Sequence, residues 1–255
     1  MVEIAELSSQ GGRKYNEDSI SVLQKGECQC IVVADGLGGH GDGKTASSLA
    51  AGQIKQAFEK ELAADEAWIY ELYKKVNKAV LDAQTESCKM KTTCVSLFLV
   101  QDKAWWAHLG DSRLYHFVDG ELKEQTVDHS VSQMAVFSGE ITKDQIRFHE
   151  DRNRVLRALG SDTPVRPDIK EEVLDDRFHA FLLCTDGFWE YVLEDEMEID
   201  LSKTDEPSMW LAYMEERLKR KVKGKNDNYS AVALFYQREQ KDEGVLQLTD
   251  KKAKG

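Results

Sequence analysis

The stretch Thr92–Thr126, TTCVSLFLVQDKAWWAHLGDSRLYHFVDGELKEQT, decides the fold. It holds four short strand-like runs, Thr92–Val100, Ala104–Leu109, Arg113–Val118 and Glu121–Thr126. The joints between them are too short for a crossover helix, so neighbouring runs must pair antiparallel. Asp119-Gly120 is a strong hairpin dipeptide, because a two-residue primed turn needs positive φ at both positions. Upstream, Val2–Ser8 and Ser19–Leu23 alternate partially, and the apolar run Cys30–Ala34 ends in Asp35 and a glycine turn. Two helical stripes follow: Ala46, Leu49, Ala50, Ile54, Ala57, Phe58 and Leu62, then Trp68, Leu72, Val76, Ala79, Val80 and Ala83. Both are single-faced, so each helix should cover a sheet. Downstream, 128–160 reads as helical and irregular, strands return at Asp168–Val173 and Phe178–Cys184, a helix at Ser208–Lys221 and a last strand at Tyr229–Tyr236. Strands and helices come in blocks, which predicts an α+β domain with helices outside an antiparallel sheet.

The chain has 255 residues and a formal charge of 34 − 46 = −12. An acidic chain is poorly suited to nucleic-acid backbone or anionic membrane, so neither is expected as a partner. No run approaches the length of a membrane helix, and Met1–Gln10 lacks a signal-peptide pattern, so the expected location is cytoplasmic. Five scattered cysteines fit reduced core thiols rather than a disulfide framework. Cys28-Gln29-Cys30 lacks the two-residue gap of a zinc or redox pair. There is no internal repeat; residues 1–238 read as one domain and 239–255 as a polar, mobile, Lys-rich tail.

Several aspartates stand at strand ends or in turns: Asp35-Gly36, Gly110-Asp111-Ser112, Asp186-Gly187 and Asp227 between two asparagines. Arg13 lies just ahead of Glu17-Asp18. One Asp-Gly is usually only a turn. Two apolar strands that both deliver a terminal carboxylate, at Asp35 and Asp186, would converge at one end of a sheet if they lay side by side. Converging carboxylates repel unless a cation holds them, and all-oxygen ligands favour Mg²⁺, Mn²⁺ or Ca²⁺.

An ordered set of motifs then carries a resemblance. Arg13-x-x-Asn16-Glu17-Asp18, Asp35-Gly36-Leu37-Gly38-Gly39-His40, Thr92-Thr93, Gly110-Asp111-Ser112-Arg113-x-Tyr115, Asp128-His129-Ser130, Arg154-x-x-x-Ala158-Leu159-Gly160, Leu183-Cys184-Thr185-Asp186-Gly187-Phe188-Trp189 and Asp227-Asn228 occur in sequence order. Together they resemble the metal-dependent protein phosphatases of the type 2C family, in their bacterial serine/threonine form. The resemblance implies a central antiparallel β-sandwich flanked by helices, four layers αββα. It implies Mn²⁺ or Mg²⁺, two ions with a third, weaker one. Asp35 would bridge the pair with the Gly36 carbonyl as a further ligand; Asp186 and Asp227 would complete one ion, and Glu17 would hold waters of the other. Asp111 with Asp186 matches the third position. Asp18 would orient ligand waters, and Arg13 would grip the phosphate with its planar fork. A bridging hydroxide would attack phosphorus in line, without a phosphoenzyme. His40 takes the bacterial Gly-Gly-His place, as acid or as support of the metal–water network, while Leu37 stands where many eukaryotic members carry the histidine. The stretch from Val131 to Arg152 matches a mobile flap. Phosphoprotein substrates, a cognate serine/threonine kinase among them, are implied in the same way.

Two rivals remain. Residues 38–45, Gly-Gly-His-Gly-Asp-Gly-Lys-Thr, formally match a phosphate-cradling nucleotide loop. Asp35 and Asp42 there, the hairpin-rich sheet, and the unused Arg13, Glu17, Asp18, Asp111 and Asp227 count against it. A metal-free binding module on the same fold is the other, countered by the complete carboxylate set. Asp128-His129-Ser130 cannot be a triad, since triad members converge from separate segments; a turn and helix cap is the expectation.

Overall fold

The computed structural model describes residues 1–38 and 42–238; the tail expected over 239–255 lies outside them. The elements are β1 (Val2–Ser9), β2 (Ser19–Lys25), β3 (Cys28–Ala34), β4 (Gly36–Leu37), α1 (Asp42–Glu61), α2 (Glu66–Asp82), β5 (Lys91–Thr92), β6 (Cys94–Val100), β7 (Lys103–Leu109), β8 (Arg113–Val118), β9 (Glu121–Gln125), α3 (Val131–Phe137), a 3₁₀ turn at Lys143–Phe148, β10 (Asp168–Val173), β11 (His179–Cys184), α4 (Asp186–Trp189), α5 (Glu194–Leu201), α6 (Pro207–Lys221) and β12 (Tyr229–Tyr236).

Two five-stranded sheets run β1-β12-β11-β8-β9 and β10-β7-β6-β3-β2, with every neighbouring pair antiparallel. The expected Asp119-Gly120 turn is present, with φ of 52° and 90° between paired Val118 and Glu121. The period of two along each strand sorts its side chains into layers. Ile31 and Val33 of β3 meet Phe181 and Leu183 of β11 and Val232 and Leu234 of β12 between the sheets. Cys30 and Val32 face outward, onto Ala50, Ile54 and Phe58 of α1 and Val76 of α2. Leu182, Ala231 and Ala233 face the other way, onto Met197 of α5 and Trp210, Leu211 and Met214 of α6. The result is the four-layer αββα sandwich. Because both faces of the central strands are covered, β8, β11 and β12 read as unbroken buried runs.

One local reading changes, and two helices are added. The run Thr92–Val100 is broken at Thr93, whose N–H turns away to the Asp35 carbonyl (2.9 Å) while Thr92 pairs with Gly36. α4 is a single turn. α5 buries only Met197, Asp200 and Leu201, too few apolar positions for a helical period; tertiary contacts hold it, with Trp210 Nε1 donating to the Met197 carbonyl (2.9 Å) and Arg217 forking onto Asp200. No described helix is long and apolar enough to cross a membrane.

Leu234 is fully buried between the sheets. Leu234→Ala should lower the unfolding free energy by about 2–5 kcal/mol. Ile199→Ala, on the outer face of α5 and half exposed, should change it by less than about 0.5 kcal/mol. Urea titration of the two variants checks the difference.

Candidate active site

Strand register brings the acidic segments together. Ala34, ending β3, pairs with Ser19 at the start of β2, and Cys94 at the start of β6 pairs with Leu109 at the end of β7. In the other sheet Cys184, ending β11, pairs with Arg113 and Ala231 near the starts of β8 and β12. Residues 10–18, 35–38, 110–112, 185–186 and 222–228 therefore meet at one pole. β3 and β11 are not neighbours in one sheet, so Asp35 and Asp186 approach each other across the sandwich.

The pole carries a cleft of about 550 Å³ lined by Arg13, Glu17, Asp35, Gly36, Asp111, Asp186 and Asp227. Asp18 is not in its wall. It lies beneath, buried, with Oδ2 accepting the Thr185 hydroxyl (3.0 Å). His40 lies outside the described residues.

Asp35, Asp111 and Glu17 are each held through their own backbone. The Asp35 carbonyl accepts the Thr92 hydroxyl (2.8 Å) and the Thr93 N–H (2.9 Å), and the Asp35 N–H donates to Thr93 Oγ1 (3.1 Å). Thr93 Oγ1 also meets Ser112 Oγ at 2.6 Å, tying the Asp35 turn to the Asp111 turn. The Asp111 carbonyl accepts Trp189 Nε1 (2.9 Å). Asn228 Oδ1 accepts the Glu17 N–H (2.9 Å), and its Nδ2 donates to the Gln10 and Tyr15 carbonyls (2.8 Å each). Glycine is required at two approaches: a Cβ on Gly36 would lie 2.2 Å from the Gly43 carbonyl oxygen, and one on Gly187 1.9 Å from that of Asn228.

The electrostatics follow from this crowding. Burial, reinforced by the neighbouring aspartates, pushes Asp35 and Asp186 well above the usual carboxylate range. Burial pushes Asp18 and Asp111 up to about 7. Asp18 Oδ1 and Asp186 Oδ1 are buried without a hydrogen-bond partner. The Arg13 guanidinium donates to Asp227 Oδ2, which raises its own pKa further. Orphaned oxygens, mutually repelling carboxylates and a wall without a described histidine or cysteine fit hard divalent cations.

The remaining motifs are accounted for by structure. Glu17 Oε1 accepts the Gly43 N–H (3.1 Å) at the start of α1, and Lys44 Nζ donates to the Asp18 carbonyl (2.5 Å) and Ser19 Oγ (3.1 Å). The nucleotide-loop lysine is thus a strap on β2, not a phosphate ligand. Asp128 takes the buried Arg113 fork (2.8 and 2.7 Å), and Arg113 stacks 3.5 Å over Trp189. Ser130 Oγ accepts the Gln133 N–H (3.2 Å) as the cap of α3. His129 Nδ1 accepts the Gly110 N–H (3.2 Å). His108, His129 and Asp168 crowd together, but that bond occupies Nδ1, and Arg157 stands 3.1 Å from Nε2, so no cation fits there. Glu190 was not anticipated. Its N–H bonds back to the Asp186 carbonyl (2.9 Å), one helical turn on, which puts its carboxylate on the Asp186 side, where Arg152 Nε holds it (2.9 Å). The i, i+4 spacing from Asp186 was its only sequence signal.

A family described as protein phosphatase 2C matches residues 9–225. The serine/threonine phosphatase stp of Listeria monocytogenes is 34% identical over 208 residues, 76% of this chain and 81% of that protein. The solved serine/threonine phosphatase PstP/Ppp of Mycobacterium tuberculosis superposes with a TM-score of 0.82 at 27% identity, covering 93% of this chain and 99% of that one. The catalytic domain of PstP in complex with two manganese ions gives 0.81 at 26%, covering 93% and 99%.

Protons and divalent cations compete for the cleft oxygens. A raised folded pKa means that the metal-free fold keeps its protons until pH passes about 7 for Asp18 and Asp111, whereas the unfolded chain releases them near 4. Adding Mn²⁺ should therefore raise Tm little at about pH 5.5 and much more at about pH 7.5. Differential scanning fluorimetry at both pH values checks this; an equal shift would contradict it.

Proposed function

The chain belongs to the protein phosphatase 2C family and is a metal-dependent serine/threonine protein phosphatase; from that premise we propose that the acidic cleft is its working site. The observation that carries this reading is the meeting of Arg13 with Glu17, Asp35, Asp111, Asp186 and Asp227 in one cleft. Asp35 with the Gly36 carbonyl, Asp186, Asp227 and Glu17 would hold two Mn²⁺ or Mg²⁺ ions, and Asp111 with Asp186 a third. Bound there, the ions supply an activated water for attack on phosphorus and neutralise the phosphoryl oxygens.

The chain's own groups do the positioning. Arg13 stands on the rim, more than half exposed, where its planar fork can take two phosphoryl oxygens. Asp18 anchors the Thr185 hydroxyl, and Thr185 Oγ1 in turn accepts the Ser230 N–H (3.0 Å), so the start of α4 and hence Asp186 are fixed to β12. Thr93 does the same for Asp35. His40 follows two residues after Gly38 of the cleft wall and is the side-chain candidate to protonate the leaving seryl or threonyl oxygen. We assign the catalytic domain to residues 1–238. Phosphoproteins, including a cognate serine/threonine kinase, are the substrates we propose, in cytoplasmic signalling without nucleic-acid or membrane partners.

Hydrolysis of p-nitrophenyl phosphate and of a phosphoserine peptide should require Mn²⁺ and stop with EDTA. Asp35→Asn should lower kcat by about 100-fold or more. Activity indifferent to metal, chelator and this substitution would overturn the reading. Separately, Arg13→Ala should raise KM at least about tenfold with a smaller change in kcat; steady-state kinetics separate the two.

A further inference from the structure

The cleft has a charged rim that the chemistry above does not use. Lys14 lines the cleft beside Arg13 and Tyr15, its ammonium 5.0 Å over the Tyr15 ring. Lys225 lies two residues before Asp227 of the cleft wall, and its backbone packs on the 10–18 loop that carries Lys14. The Gly12 N–H donates to the Asn226 carbonyl (3.1 Å), and a Cβ on Gly12 would lie 2.8 Å from the Lys225 Cα. Lys223 precedes it by two residues, across Gly224 at φ +100°. All three residues are exposed. Nearby cations differ from them: Lys219, Arg220 and Lys221 at the end of α6 are paired with Glu215, Glu216 and Glu196. Among the described residues, Lys14, Lys223 and Lys225 have no such partner. Asp227, the cleft carboxylate two residues from Lys225, is engaged by Arg13. In a chain of net charge −12, this is a local concentration of exposed positive charge in and beside the cleft wall.

We propose that Lys14, Lys223 and Lys225 read the flank of the substrate, and that the preferred substrates carry carboxylate side chains close to the phosphoserine or phosphothreonine. The inference rests on the phosphatase reading above. An extended peptide advances about 3.3–3.6 Å per residue, so side chains about two to four residues from the phosphorylated one reach roughly 7–14 Å beyond it, and these are the flanking positions to vary. Such exposed pairs are individually weak and screened by salt, and they act on encounter and specificity more than on the chemical step.

The test uses phosphoserine peptides with Glu, Gln or Lys at those flanking positions, on either side, with p-nitrophenyl phosphate as a substrate without flanks. The wild-type protein with Mn²⁺ should show kcat/KM about fivefold higher for Glu than for Gln at low ionic strength, and lower still for Lys. Added salt should shrink the preference. In Lys14→Ala/Lys223→Ala/Lys225→Ala the Glu-to-Gln ratio should fall to about one; because the ratio is taken within one protein, a general loss of activity cancels. Should the triple variant fail to fold, Lys225→Glu alone should reduce the ratio. Equal rates on Glu and Gln peptides in the wild type, or a preference that survives these substitutions, would overturn the inference while p-nitrophenyl phosphate hydrolysis stands. Absence of Mn²⁺-dependent p-nitrophenyl phosphate hydrolysis would overturn the phosphatase reading, and this inference with it.

Discussion

Repulsion among Asp35, Asp111, Asp186 and Asp227 at one pole of the sandwich is the constraint that the rest of the structure answers to. Like charges brought together away from water raise one another's pKa, and an unrestrained loop would relieve this by moving apart. Here movement is prevented by the strands. Asp35 directly follows the buried strand β3, and Asp186 follows β11 after one buried residue, Thr185. Asp111 and Asp227 stand two residues from strands of the same core. The hydrophobic sandwich thus holds Asp35, Asp111 and Asp186 where cations, or failing them protons, must supply the missing attraction.

A polar layer beneath the cleft turns this crude convergence into defined geometry. Thr93 links the Asp35 turn to Ser112, Thr185 links Asp18 to β12, and Asn228 closes the 10–18 loop against Glu17. The Arg113–Asp128 pair and Trp189 brace the Asp111 turn from behind. A buried ion pair of this kind adds little net stability over an apolar replacement, because desolvation offsets its attraction. Its value here lies in direction: a guanidinium clamped by a carboxylate and stacked on an indole holds the indole N–H toward one carbonyl.

The basic rim shows how local charge and net charge part company. The total of −12 opposes polyanions over the surface at large. At the cleft, however, the exposed Arg13 and Lys14 share the wall with the carboxylates that would hold cations, and screening over roughly 10 Å leaves these local charges, not the distant surface acids, to act on a substrate.

The antiparallel runs of 92–126, the helical stripes of α1 and α2, the strand-end aspartates and the family motifs were legible because each depends on local periodicity or on residue type at fixed spacing. α5 was not legible, since its burial is supplied by α6 rather than by its own pattern. The break at Thr93 was hidden too, because its cause, the Asp35 carbonyl, lies 58 residues away in sequence. The same holds for Glu190, whose proximity to the acids needs the turn of α4 and the hold of Arg152. For the nucleotide-loop look-alike at 38–45, only the fold showed Lys44 tied to β2. The sequence by itself determined which strands could form and which carboxylates would end them, since alternation and turn chemistry act over a few residues. Tertiary structure alone decided that Asp35 and Asp186 meet from opposite sheets, because strand order and sheet packing are set by long-range burial that no local spacing encodes.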